Sequence, residues 1–72
     1  MKIYITEIKQ RNEGDFKHLG NEAYKTLEDA RYSLQNETNL KKLDTERFEN
    51  HIEFYESSNG LFTHRITELE LV

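Results

Sequence analysis

The chain begins with an alternation of side chains that is typical of a β-strand. Over residues 2–9, Ile3 and Ile5 point to one face, whereas Tyr4 and Ile8 point to the other. Because both faces carry apolar groups, we expect this strand to lie inside a sheet rather than at its edge.

The residues that follow predict a turn and then a second strand. Segment 11–15 is polar and contains Gly14, a composition that is typical of turns. Residues 16–20 then favour a shorter and weaker strand. Residues 1–20 therefore predict an antiparallel β-hairpin.

A helix from about Thr26 to Asn36 is predicted next. The Thr26 hydroxyl can accept a hydrogen bond from the Asp29 amide, and the acidic first turn suits the positive end of a helix dipole. Helical spacing relates three apolar residues of this segment: Leu27, Ala30 and Leu34. The Asn and Thr residues of segment 36–39 predict the end of the helix, because their side chains compete for backbone hydrogen bonds. Segment 40–43 is then expected to form a short turn or loop.

The second half of the chain fits two alternatives. A helix that ends at Gly60 would align several apolar residues, but it would leave Phe54 on the wrong face. Two strands joined near Gly60 instead place Phe48, Ile52 and Phe54 on one face. We therefore expect a second β-hairpin.

The length of the loop sets the register of this hairpin. A two-residue loop would place Phe54 opposite Arg65, which mixes apolar and polar groups on one face. A three-residue loop, residues 58–60, places Phe54 opposite His64 and keeps the apolar residues together. We expect the three-residue loop, with Gly60 in the left-handed conformation that a type I turn followed by a glycine bulge requires.

Beyond this point the apolar residues change parity, since Leu69 and Leu71 are odd-numbered. A bulge near Thr67–Glu68 would turn both leucines inward. Four glutamates would then share the outer face of the hairpin with one aromatic residue: Glu49, Glu53, Glu68, Glu70 and Tyr55. We expect these five residues to form an acidic docking surface in which Tyr55 anchors a partner with a basic patch. The alternative is that the glutamates only keep a solvent-facing surface soluble.

Composition and charge narrow the classes of function. The 72 residues carry a net charge of −4, and after residue 43 seven acids face two bases. A DNA-backbone binder needs a clustered basic face, so direct nucleic-acid binding is not expected. The chain has no Cys, and a domain of this length buries only about 60% of the surface of its unfolded form. A partner, or a second copy in a homodimer, would therefore add stability.

The sequence offers little catalytic or metal-binding chemistry. Three histidines, His18, His51 and His64, lack the spacing of metal ligands. One sheet with one helix provides little of the concavity that paired catalytic carboxylates need. No apolar run approaches the ~18 residues of a membrane span. We therefore expect a soluble, cytoplasmic protein that is neither an enzyme nor a cofactor binder.

Two segments, AYKTLEDARYSL and IEFYESSNGLFTHRITELEL, carry the helix and the closing hairpin of a compact, acidic chain. In size, composition and layout the chain resembles the small proteins encoded by bacteriophages and mobile elements, including the anti-CRISPR proteins. The resemblance implies an inhibitor of a host defence protein that occludes its target with an acidic face in the host bacterial cytoplasm. It implies no catalytic residue.

The predicted fold is a single α+β domain over residues 1–72, in which two antiparallel hairpins form one sheet with a helix on one face, in the order β-β-α-β-β. The predicted function is that of a non-enzymatic protein-binding module, an inhibitor of the anti-CRISPR type that docks on a larger host protein. The competing hypothesis is a homo-oligomeric cellular or virion accessory protein of structural role, in which an exposed apolar strand joins two copies.

Overall fold

Five strands and one helix make up the part of the chain that the computed structural model describes, residues 1–20, 22–35 and 39–71. The elements are β1 (Lys2–Gln10), β2 (Lys17–His18), α1 (Leu27–Gln35), β3 (Leu40–Lys42), β4 (His51–Ser57) and β5 (Phe62–Glu70). Each strand is antiparallel to its neighbours, in the order β2-β1-β5-β4-β3. The expected α+β fold with an antiparallel sheet is confirmed, although the sheet contains one strand more than predicted.

The additional strand, β3, replaces a predicted turn or loop. It pairs with β4, so that Leu40 lies opposite Ser57 and Lys42 lies opposite Tyr55. The loop prediction was wrong because three residues are too few to show an alternating pattern, whereas the edge of β4 supplies partners for their backbone groups. Leu40 packs against the core, and Lys41 points to the opposite face of the sheet.

Helix α1 begins where its capping pattern predicts. The amide of Asp29 donates a hydrogen bond of 3.1 Å to Oγ1 of Thr26. The hydroxyl of Tyr24 donates to Oγ of Ser33 at 2.7 Å, which ties the helix to the segment that precedes it. The predicted helix end at Asn36 lies outside the described residues.

The two longest strands, β1 and β5, form the centre of the sheet and pair along their full length without interruption. The predicted bulge near Thr67–Glu68 is therefore wrong, because β1 holds this part of β5 in regular register. Helix α1 covers one face of the sheet, where Ala30, Leu34 and Ile66 are the buried apolar residues of the described chain. The opposite face has no helix over it among the described residues.

The predicted hairpin of β4 and β5 is present, but its register differs from the prediction. Phe54 lies opposite Arg65 and Tyr55 lies opposite His64, which is the register of the two-residue loop. The three-residue register assumed that only apolar residues turn toward the helix, yet His64 is buried there. Gly60 has a φ of 72°, so its predicted left-handed conformation is confirmed.

A bulge in β4 adds Ile52 to the side chains that lie beneath the helix. The pairing with β5 shifts between His51 and Glu53, at the position of Ile52. Ile52 packs against the core, and Tyr55 does so as well. Phe54 consequently points to the face without the helix, and the expectation that Ile52 and Phe54 share one face is wrong.

Replacement of Gly60 by alanine tests the left-handed turn. We expect Gly60→Ala to lower the free energy of unfolding by about 1 kcal/mol, because an L-residue is strained at this φ. The added Cβ itself would meet only Oε1 of Glu56, at an ordinary contact distance of 3.6 Å. Urea denaturation measures the change.

Gly14→Ala is the matched control for this measurement. A Cβ at Gly14 would meet nothing within 4 Å, and this glycine does not have a positive φ. The control should leave stability unchanged or raise it slightly. Equal losses in the two variants would show that the turn does not need a glycine at position 60.

Candidate functional site

A buried carboxylate on the covered face of the sheet contacts three side chains, one from the helix and two from the strands. Glu53 is 7% exposed and faces Arg31 of α1, whose Nε donates to its two carboxylate oxygens at 2.9 and 3.1 Å. Nη2 of Arg31 donates to the same carboxylate. The Tyr55 hydroxyl donates to Oε1 at 2.7 Å, and Nζ of Lys42 lies 3.6 Å from Oε2. We call these four residues, Arg31, Lys42, Glu53 and Tyr55, the Glu53 cluster.

The Glu53 cluster fixes the charges of its members. Hydrogen bonds from Arg31 lower the pKa of Glu53 from its ordinary 4.5 to about 2, against the opposing effect of burial. The hydrogen bond to Glu53 in turn raises the pKa of Arg31 above its usual range. Burial, followed by the hydrogen bond to Glu53, raises the pKa of Tyr55 to about 12. At neutral pH the cluster therefore holds two cations and one carboxylate, a net charge of one positive unit.

A cavity of about 450 Å³ lies beside the Glu53 cluster, between the C-terminal half of α1 and β3. Its walls include two apolar residues, Leu34 and Leu40, and two side-chain amides, Gln35 and Asn39. The cluster contributes the rest of the lining: Arg31, Lys42 and Tyr55. The cavity therefore combines an apolar wall with a cationic one.

A second carboxylate is fixed on the opposite face of the sheet. Oε1 of Glu7 accepts a hydrogen bond from Nε of Arg65 at 2.8 Å and another from the hydroxyl of Thr67. The guanidinium of Arg65 also stacks on the ring of Phe16, 3.8 Å from its centroid. Burial alone would raise the pKa of Glu7, but the bonds from Arg65 and Thr67 outweigh it and lower the pKa. Glu53 on the covered face and Glu7 on the opposite face are thus both held in the ionised form.

A tight turn at the start of β4 displays an exposed aromatic ring. Phe48 and His51 exchange backbone hydrogen bonds of 3.0 and 2.9 Å, which closes a two-residue loop at Glu49 and Asn50. The Glu49 backbone has a φ of 54°, a conformation that is uncommon outside glycine. Phe48 is 64% exposed. The predicted placement of Phe48 on the core-facing side is therefore wrong.

Acidic side chains surround this turn. β4 begins at the end of the sheet where β5 finishes, because the two strands are antiparallel, and the Glu68 amide donates to the carbonyl of Asn50 at 2.8 Å. We call this region the Phe48 end and define it by six exposed acidic and apolar residues, beside which the Arg47 side chain is also exposed: Asp44, Glu46, Phe48, Glu49, Glu70 and Leu71. Glu68 is mostly buried there by ion pairs with Arg47 at 3.2 Å and Lys2 at 3.5 Å.

The structure divides the five residues of the predicted acidic docking surface between two places. Glu53 and Tyr55 lie beneath the helix, so the prediction that they face outward is wrong, because the register of β4 places them opposite Ile66 and His64 on the covered face. Glu49 lies in the turn after Phe48, and Glu68 and Glu70 lie on the last part of β5; their role in binding stays a prediction. Glu70 pairs with the amino group of Met1 at 3.2 Å.

Two contributors to these sites were missed by the sequence reasoning. Arg31 was assigned no role, although it lies one residue after Ala30 on a helix whose apolar face is narrow. Phe48 was assigned to the core because of its spacing from Ile52. The polar residues on both sides of Phe48 are the signal that could have indicated an exposed position.

The described residues contain no group of three or more His, Cys, Asp or Glu side chains that could hold a metal ion. His64 is buried beneath the helix, whereas His51 lies on the other face with Nδ1 2.8 Å from Oγ1 of Thr67. Among these residues there is also no helix long and apolar enough to cross a membrane. No family model, curated protein or solved structure matches the chain. Three features of the described residues bear on function: the Glu53 cluster, the cavity and the Phe48 end.

Acid should lower the free energy of unfolding, because it protonates Glu53. Because the pKa of Glu53 falls from 4.5 to about 2 on folding, its contribution to stability is present above pH 4.5 and is lost as the pH drops toward 2. We expect a loss of about 2 kcal/mol in this window, after allowance for the partial exposure of Arg31. Urea denaturation at a series of pH values measures it.

Glu53→Gln should be less stable than the natural chain at neutral pH and should depend less on pH between 5 and 2. The lowered pKa of Glu7 leaves a residual dependence of the same sign in this variant. Glu46→Gln, a change at an exposed glutamate, is the control and should keep the full dependence. An unchanged pH profile in Glu53→Gln would contradict the ion pair.

Proposed function

We propose that this chain is a non-enzymatic protein-binding module that docks on a basic surface of a larger protein through its Phe48 end. The observation that carries the proposal is the exposed Phe48 ring, presented on a closed turn and surrounded by acids. An aromatic anchor inside a charged rim is the arrangement that concentrates binding energy at protein interfaces.

The apolar part of the interaction comes from Phe48 and its neighbour at the end of β5. Phe48 is 64% exposed and Leu71 is 48% exposed, and both lie at the same end of the sheet. Burial of the exposed part of one phenylalanine side chain is worth about 1–2 kcal/mol. Phe48 can therefore account for roughly a tenfold gain in affinity, and Leu71 extends the apolar contact.

The turn holds the ring in place before a partner arrives. Two backbone hydrogen bonds between Phe48 and His51 close the loop, and the bond from the Glu68 amide to Asn50 fixes it to β5. The left-handed Glu49 costs about 1 kcal/mol or more, and such strain is found preferentially at binding sites. An ordered anchor loses less conformational entropy on binding than a mobile one.

Charge selects a basic partner. Asp44, Glu46 and Glu49 are exposed and form no ion pair within the described part of the chain. Arg47, the base among them, is engaged by Glu68 at 3.2 Å. The unpaired acids would attract a basic patch over a Debye length of about 10 Å and favour rapid association.

The fixed charges on both faces of the sheet support a non-enzymatic role. A general acid or base needs a pKa near the working pH, and the carboxyls of Glu53 and Glu7 have their pKa values lowered instead. Arg31 and Arg65 hold them ionised. These two carboxylates are thus committed to structure.

The more specific proposal, an inhibitor of a host defence protein of the anti-CRISPR type, rests on the resemblance in size, acidity and layout. The target would be a bacterial protein with a basic nucleic-acid-binding surface, met in the host cytoplasm. The Phe48 end would cover part of that surface, with the acids occupying the places of phosphates.

A homo-oligomer of structural role is the second candidate, and the helix-free face favours it. Ile3, Ile5, Phe54 and Leu69 are each partly exposed on this face. Light scattering coupled to size exclusion separates the candidates. A dimer that persists at low concentration and high salt favours the second, whereas a monomer favours the first.

Loss of Phe48 should weaken capture of the partner. The immobilised chain is incubated with bacterial lysate, and bound proteins are quantified by mass spectrometry for the natural chain and for Phe48→Ser. We expect one basic protein to bind the natural chain, and its affinity for the purified Phe48→Ser variant to fall at least about tenfold. Calorimetry measures both affinities.

Tyr32→Ser is the matched control, because Tyr32 is an equally exposed aromatic residue, at 66%, on the helix. It should retain the same partner with unchanged affinity. The double variant Glu46→Gln, Glu49→Gln should bind more weakly and with less dependence on salt. A partner that is retained by Phe48→Ser, or lost equally in both aromatic variants, would contradict the proposal.

A further inference from the structure

We infer that the cavity between α1 and β3 binds a small amphiphilic organic anion, whose carboxylate, sulfonate or phosphate group contacts Arg31 and Lys42 while its apolar part lies against Leu40 and Tyr55. This site is separate from the Phe48 end. The inference does not depend on the proposed protein partner.

The size and lining of the cavity suit such a ligand. Its volume of about 450 Å³ falls in the range of small-molecule sites, which are mostly apolar with a few polar groups that fix orientation. Leu40 and Tyr55 supply most of the apolar surface, because Leu34, which also borders the cavity, is only 1% exposed. The side-chain amides of Gln35 and Asn39 add hydrogen-bonding groups at the rim.

The cationic wall keeps donors available for an anion. Nε and Nη2 of Arg31 are used by Glu53, and no hydrogen bond within the described residues uses Nη1. Nζ of Lys42 lies 3.6 Å from Glu53 and its side chain is 61% exposed, so most of its donor capacity is also available. Charge-assisted hydrogen bonds from these two groups are the strong interactions of such a site.

The net charge of the Glu53 cluster sets the charge of the ligand. Arg31 and Lys42 contribute two positive charges and Glu53 one negative charge, which leaves one positive charge for a ligand to balance. A monoanion would balance it. A cation would be repelled by Arg31 and Lys42, which line the cavity, whereas Glu53 is not part of the lining and is already paired with both.

Glu53 also prepares the site for binding. Its bonds from Arg31 and Tyr55 hold the guanidinium and the phenol in fixed positions against β4. A ligand therefore meets a cation that is already ordered, and it loses less free energy in fixing the side chain.

The probe for this site is 1-anilinonaphthalene-8-sulfonate, a fluorescent aromatic sulfonate, at neutral pH. We expect saturable binding to the folded chain, with amide shifts in NMR spectra confined to residues around the cavity. N-phenyl-1-naphthylamine, the same ring system without the sulfonate, should bind at least about fivefold more weakly because it cannot use the cationic wall. Near-UV circular dichroism checks that the chain remains folded.

Two lysine variants give a matched comparison. Lys42→Gln should weaken binding of the sulfonate about threefold to fivefold, the effect expected of one partly exposed charge. Lys41→Gln makes the same change at the adjacent residue, which points to the other face of β3, and should leave the affinity unchanged. Phe48→Ser should leave it unchanged as well, so that this site and the proposed docking surface are tested independently.

Any of three affinity results would overturn the inference. These are no saturable binding of the sulfonate at millimolar concentration, equal binding of the sulfonate and the neutral amine, or equal weakening by Lys41→Gln and Lys42→Gln. Amide shifts that map to the helix-free face would overturn it too.

Discussion

The ion pair of Glu53 with Arg31 is the interaction on which the rest of the structure depends. A carboxylate as deeply buried as Glu53 is tolerated only when cations and hydrogen-bond donors replace its lost water. Arg31 supplies the charge, and Tyr55 and Lys42 complete the shell from β4 and β3. One carboxylate thereby joins the helix, an inner strand and the edge strand, in a domain whose fully buried apolar core is small.

The register of β4 against β5 places Glu53 there, opposite Ile66, and it also separates the charges of the surface. Without this register, in the three-residue alternative, Glu53 would lie opposite Arg65 on the face without the helix. With it, the covered face acquires a cavity bounded by Arg31 and Lys42, while acidity is concentrated at the Phe48 end. The molecule consequently carries two regions of opposite character at different places, one suited to a small anion and the other to a basic protein.

Local signals in the sequence were sufficient for much of the fold. Three features were predictable because each depends on the chemistry of a few neighbouring residues. They are the Thr26 cap of the helix, the turn at Gly60 and the position of β1 inside the sheet. The register of β4 did not follow from such signals. It required Glu53 to turn inward, and this is favourable only because Arg31, distant in sequence, lies above it. The strand β3 was missed for a related reason, since its partners on β4 rather than its own three residues determine its conformation.

The register of β4 against β5 is tested most directly by cross-strand backbone NOEs in the NMR spectra of the hairpin. The account predicts NOEs that join Phe54 to Arg65 and Tyr55 to His64, together with contacts between the Tyr55 ring and α1. NOEs that join Phe54 to His64, with the Glu53 side chain exposed to solvent and no contact from Tyr55 to the helix, would contradict it.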